Sequence, residues 1–100
     1  MRTFAIVEST SVSVLPADHI DRIHFQLTVE YRGRDLYAVM HMRMCLGADG
    51  EWDFEPIPSE RDDEWLATHR FPHAVTLGLA VKHCPDITVN GHTAREVAAS

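Results

Sequence analysis

The chain has 100 residues, of which 45% are hydrophobic, and a formal net charge of −6. This length supports a single domain, 1–100, with a modest core, and it argues against a large internal cavity for a cofactor. The apolar stretches are too short to cross a membrane, and the N-terminus lacks the long apolar region of a signal peptide. We therefore expect a cytoplasmic protein with no cofactor and no membrane partner.

Alternating apolar and polar residues in the first half of the chain predict an antiparallel meander. A first strand is predicted over 4–14, a second over 23–31 and a third over 36–46, because side chains at every second position share one face of a sheet. Turn residues separate the three segments. Each strand would bury one face and leave the other in water.

The turn between the second and third strands sets their predicted register. A two-residue turn at Gly33-Arg34, with glycine first, pairs Tyr31 with Leu36 and Leu27 with Met40. Both apolar sets then fall on one face of the sheet. A shift of one residue would break this agreement.

The next turn allows two registers. A two-residue turn at Asp49-Gly50 would place Trp52 away from the apolar face, whereas a three-residue loop over 48–50 sets Trp52 opposite Leu46. We choose the three-residue loop, with Gly50 in the left-handed conformation, because it unites the apolar residues.

The second half of the chain predicts helices. A short helix would begin after Ser59 as its N-cap, a second helix spans 72–83, and the capping box Thr93-Ala94-Arg95-Glu96 opens a last one. A short strand over 87–89 precedes the last helix. The fold class is therefore α+β, with an antiparallel meander sheet of three to four strands and two or three short helices packed on one face.

All of the net charge lies in one segment. Residues 51–64 hold seven acids and one base, so the rest of the chain balances to zero. These acids are Glu51, Asp53, Glu55, Glu60, Asp62, Asp63 and Glu64. Such a patch disfavours direct contact with nucleic acid and favours a basic protein surface as partner, although it could also be simple solubilising charge. Carboxylates at 51, 53 and 55 of a strand would stand about 6.5–7 Å apart, similar to phosphates along a nucleic-acid strand.

The histidines and cysteines give no clear metal site. His69 and His73 have the spacing of two-histidine sites on a helix, but Pro72 between them begins a new helix. Cys45 and Cys84 do not form a Cys-x-x-Cys pair. We expect no bound metal and two free thiols.

The predicted sheet offers candidate catalytic pairs, but their surroundings are unfavourable for catalysis. Asp53 or Glu55 could act as an acid–base pair with His41 or His24, and Cys45 could share a strand face with His41. A flat face with alternating charges supplies neither a pocket nor a third orienting group. We therefore predict no catalytic residue.

The short chain, the meander and the acidic stretch Glu51-Trp52-Asp53-Phe54-Glu55, followed by 60–64, resemble small acidic inhibitors of phages and mobile elements, such as anti-CRISPR proteins. The resemblance is of type, and no residue role is carried over from it. It implies that the chain blocks a CRISPR effector by binding a surface that contacts DNA or RNA. We predict a non-catalytic protein–protein interaction module that binds through the seven acids named above. The alternatives are a small metal protein or enzyme that uses histidines, and a homodimeric structural subunit that pairs through a strand edge. Those histidines are His24, His41, His69 and His73.

Overall fold

A computed structural model describes all 100 residues and confirms the α+β fold class. Five antiparallel strands form one sheet in the order β1-β2-β3-β4-β5, and a small hairpin, β6-β7, lies outside it. The strands are β1 Ser9–Val12, β2 Leu27–Gly33, β3 Leu36–His41, β4 Met44–Leu46, β5 Trp52–Phe54, β6 Thr88–Val89 and β7 His92–Thr93. The helices are α1 Asp63–His69, α2 His73–His83 and α3 Ala94–Ala99.

The sheet has five strands because the segment predicted as one strand over 36–46 reverses direction. The chain turns at Met42-Arg43, so that His41 pairs with Met44, and Met42 takes the left-handed conformation with φ +56°. The alternation of this segment hid the turn, since neither central residue is a typical turn former.

The predicted register of the first hairpin is wrong by one residue. The turn lies at Arg34-Asp35, both at positive φ as a type I′ turn requires, and Leu36 pairs with Gly33. A bulge between Tyr31 and Gly33 shifts the pairing by one residue, so Met40 lies opposite Thr28, not opposite Leu27. A shift of one residue moves side chains to the other face of a sheet.

This register gives the sheet two covered faces. On one face, Leu27, Val29, Val39 and Leu46 are fully buried in the main core, against Ala80 of α2. Burial of each such aliphatic side chain stabilises the fold by about 1.5–3 kcal/mol.

The other face carries the smaller cluster Ala38, Met40 and Cys45, covered by Trp65 of α1. The helices therefore lie on both faces of the sheet, and the prediction that they pack on one face is wrong.

The ends of the predicted first strand lie outside the sheet. The strand covers 9–12 and not 4–14, and Phe4 is 79% exposed. Ile23 is likewise exposed and precedes β2.

The sequence prediction was more accurate for β4–β5 and for the C-terminal part. Trp52 pairs with Leu46, and Gly50 has φ +83°, as expected for the three-residue loop. The helix predicted over 72–83 is α2, and Thr93 caps α3 by accepting a hydrogen bond from the backbone N–H of Glu96. None of the helices combines the length and apolar character needed to cross a bilayer.

Candidate functional site

The acidic segment is divided between the interior and the surface. The side chain of Glu55 is only 11% exposed and lies among three arginines. It accepts hydrogen bonds from Arg32, at 3.1 Å, and from Arg70, and Arg61 lies 3.8 Å away. Burial alone would raise the pKa of the Glu55 carboxyl, but the hydrogen bond from Arg32 and the charges of Arg70 and Arg32 outweigh it and lower the pKa.

Different parts of the fold supply the three arginines. Arg32 extends from β2, and Arg70 follows the last residue of α1, where its side chain is 5% exposed and lies 5.1 Å from the ring of Trp65. Arg61 precedes α1 and donates from Nε to the carbonyl of Pro56 at 2.9 Å. The arginines and Glu55 therefore join α1 to the sheet.

Four acids point outward around the start of α1. Glu60, Asp62, Asp63 and Glu64 are exposed, and none lies within 4.0 Å of a cationic side chain. We call these four residues the acidic lobe. The Asp62 carboxylate also accepts a hydrogen bond from the backbone N–H of Trp65, so Asp62, and not the predicted Ser59, caps α1.

The remaining two acids lie near the other end of α1. Glu51 is exposed, whereas Asp53 is half exposed and its Oδ2 is 2.9 Å from Nε2 of His69. The predicted row of carboxylates at 51, 53 and 55 is therefore interrupted, because Glu55 is engaged by arginines and Asp53 by a histidine.

His69 is the histidine beside Asp53, in place of the expected His41 or His24. Its ring stacks on Trp65, with centroids 4.1 Å apart, and Nδ1 is 2.8 Å from the Trp65 carbonyl. Neither Asp53 nor His69 lines the recesses on either side of Arg32. The pair connects α1 to β5, and local sequence patterns could not show it, because 16 residues separate its members.

The proposed pairing of Cys45 with His41 does not form. The turn at Met42-Arg43 places Cys45 beside Met40 on one face and His41 on the other, where Nε2 is 3.0 Å from the carbonyl of His24. Burial raises the pKa of the Cys45 thiol to about 11.

The two histidines with helical spacing face different partners. His73 packs against Tyr37 with ring centroids 4.6 Å apart, whereas His69 contacts Asp53. No three His, Cys, Asp or Glu side chains come together as a metal site requires. Cys45 and Cys84 are free thiols in different clusters.

Comparison with protein-family models, curated proteins and solved structures finds no match to this chain.

Proposed function

We propose that this chain is a non-catalytic binding domain whose acidic lobe docks on a basic surface of a partner protein. The proposal rests on how the charged side chains of residues 51–64 are distributed between the interior and the surface. The only base, Arg61, and the acid Glu55 turn toward each other, while the four acids of the lobe stay exposed and without a cation.

The lobe concentrates negative charge in a small area. Its four acids fall within five consecutive residues, so the potentials of neighbouring carboxylates add over separations comparable with the Debye length, about 8 Å at physiological salt. A positively charged partner would be attracted before contact, and the encounter would slow as salt is added. Like-charged partners would be repelled.

In the most specific form of the proposal, the chain is an inhibitor. It covers the surface with which a protein complex such as a CRISPR effector contacts nucleic acid. The resemblance in type to small acidic inhibitors of phages supports this form. The strand carboxylates contribute less than expected, because Glu55 is mostly buried and paired with arginines. The acidic lobe would therefore supply most of the negative charge that imitates nucleic-acid phosphates.

The proposal is tested by charge reversal that leaves the cap of α1 intact. The double variant Glu60→Lys/Glu64→Lys changes the lobe by four charges, and the control Glu8→Lys/Asp18→Lys makes the same change at exposed acids outside it. Tagged wild-type and variant proteins are used to purify partners from the native host, and the partners are identified by mass spectrometry. We expect a basic nucleic-acid-binding protein whose recovery falls by about tenfold or more with the lobe variant and is kept by the control.

Salt and competition complete the test. Recovery by the wild type should fall as sodium chloride is raised, and the purified partner should lose its DNA or RNA in a gel-shift assay when the chain is added. Circular dichroism checks that the lobe variant remains folded, since reversing Glu64 costs about 0.3–1 kcal/mol at the helix N-terminus. Recovery of the same partner by the folded lobe variant would refute the proposal.

A further inference from the structure

A cleft beside the β2–β3 turn concentrates positive charge in this acidic protein. It has a volume of about 750 Å³ and lies between that turn, the segment before α1 and α1 itself. Four arginines line it, and Asp63 is the only acid on its wall. The arginines are Arg32, Arg34, Arg61 and Arg70. The lining is therefore strongly cationic although the whole chain has a net charge of −6.

Two of these arginines keep hydrogen-bond donors free. Arg34 makes no side-chain hydrogen bond or ion pair, and its position in the turn, at φ +55°, places it at the cleft. Arg61 uses Nε for the carbonyl of Pro56, and its only ion pair is the long one from Nη2 to Glu55. Nη1 of Arg61 thus has no partner. Arg32 and Arg70, by contrast, are held by carboxylates.

The neighbouring recess does not share this excess of positive charge. That recess, of about 530 Å³, is lined by two arginines and two glutamates, so its charges balance. Arg32 lines both recesses. Of the four cleft arginines, Arg32, Arg61 and Arg70 lie within 4.0 Å of Glu55, Arg32 also pairs with Glu30, and Arg34 has no carboxylate partner.

We propose that this cleft binds a small organic oxyanion, with its charged group held by Arg34 and Arg61. Guanidinium groups present planar pairs of N–H donors that match the oxygens of a phosphate or a carboxylate. Leu36 and Leu66 supply an apolar wall for the rest of the ligand. The volume is in the range of pockets that hold small molecules. This inference does not require the docking role of the acidic lobe, although Asp63 belongs to both surfaces.

The test is a titration followed by ¹H–¹⁵N nuclear magnetic resonance at constant ionic strength. The probes are phenyl phosphate, benzoate and inorganic phosphate, each raised to about 20 mM, which covers millimolar dissociation constants. We expect saturable shifts of the backbone amides of Gly33 and Ala67 and of the Arg34 side chain, with either organic probe tighter than inorganic phosphate. Tighter binding of phenyl phosphate identifies a phosphate monoester as the ligand class, and tighter binding of benzoate identifies a carboxylate.

Substitutions distinguish specific binding in the cleft from a general attraction of anions to the protein surface. Arg34→Asn keeps a residue that tolerates positive φ in the turn, and Arg61→Gln removes the second donor group. Each should weaken binding by about tenfold, the loss expected for a charge-assisted hydrogen bond. Arg95→Gln is the matched control, because Arg95 is exposed and pairs with Asp86 away from the cleft. Absence of saturable shifts with all three probes, or equal weakening by the control, would overturn the inference.

Discussion

Burial controls the chemistry of Cys45. The residue is fully buried with Ala38 and Met40, and the loss of hydration raises the pKa of its thiol to about 11, although the charge of Arg70 acts in the opposite direction. Because the thiolate is the reactive form, this cysteine is a poor nucleophile near neutral pH. Burial also raises the pKa of the Cys84 thiol.

The thiols should therefore resist modification in the folded protein. At pH 8 we expect both cysteines to react with Ellman's reagent about 100-fold or more slowly than in the chain unfolded by guanidinium, since both access and thiolate formation are suppressed. The absorbance of the released thiolate gives the rates, and a Cys84→Ala variant reports on Cys45 alone. Rapid labelling of Cys45 in that folded variant would contradict this assignment.

At the scale of the elements, α1 shows how a local motif can be placed wrongly. Ser59 and Asp62 are both good N-cap residues, and each is followed by acids that suit the start of a helix. The chain forms a short 3₁₀ turn over Pro58–Glu60 first, and the helix begins only after Asp62. Both residues satisfy the local requirements of an N-cap, so the choice between them depends on tertiary contacts that the local sequence does not show.

Two alanine variants distinguish these caps. Asp62→Ala should lower the free energy of unfolding by about 1 kcal/mol, because it leaves the backbone N–H of Trp65 without its acceptor. Ser59→Ala should change it by less than about 0.5 kcal/mol, as is usual for an exposed residue without such a role. Urea denaturation followed by circular dichroism measures both, and a larger loss at Ser59 would show that the helix begins earlier.

The strand registers were predicted where glycine marks the left-handed residue of the turn. Gly50 did so for β4–β5. In the first hairpin, Arg34 and Asp35 both adopt positive φ beside Gly33, which also has positive φ. Sequence chemistry favours the glycine as the turn residue, so the prediction placed the turn one residue too early. It also missed the bulge between Tyr31 and Gly33, which changes the register by one residue and puts the two apolar sets on different faces.

At the scale of the whole molecule, Glu55 links parts of the chain that no local pattern connects. It lies 23 residues from Arg32 and 15 from Arg70, yet its carboxylate meets both guanidinium groups. Sequence composition correctly located the negative charge, but it could not show which acids face inward. The arginine cleft was missed for the same reason, since Arg61 and Arg70 come from segments far along the chain from the turn that holds Arg32 and Arg34.

The buried ion cluster makes stability depend on pH in a defined direction. The pKa of Glu55 is lower in the folded protein than the ordinary value of 4.5. The folded state therefore favours the ionised carboxylate, and the stabilisation is fully present above about pH 4.5 and is lost as the pH falls through the folded pKa. Glu55→Gln removes this contribution and leaves the arginines without their shared carboxylate.

The central claim, that the acidic segment is divided between an internal ion cluster and an exposed lobe, is tested most directly by comparing Glu55→Gln with Glu60→Gln. The measurement is the free energy of unfolding by urea at pH 7 and at pH 3.5. At pH 7 we expect Glu55→Gln to lose about 2–3 kcal/mol and Glu60→Gln to lose less than about 0.5 kcal/mol, and the Glu55→Gln loss to shrink at pH 3.5. Equal stability of the two variants at pH 7 would contradict the division.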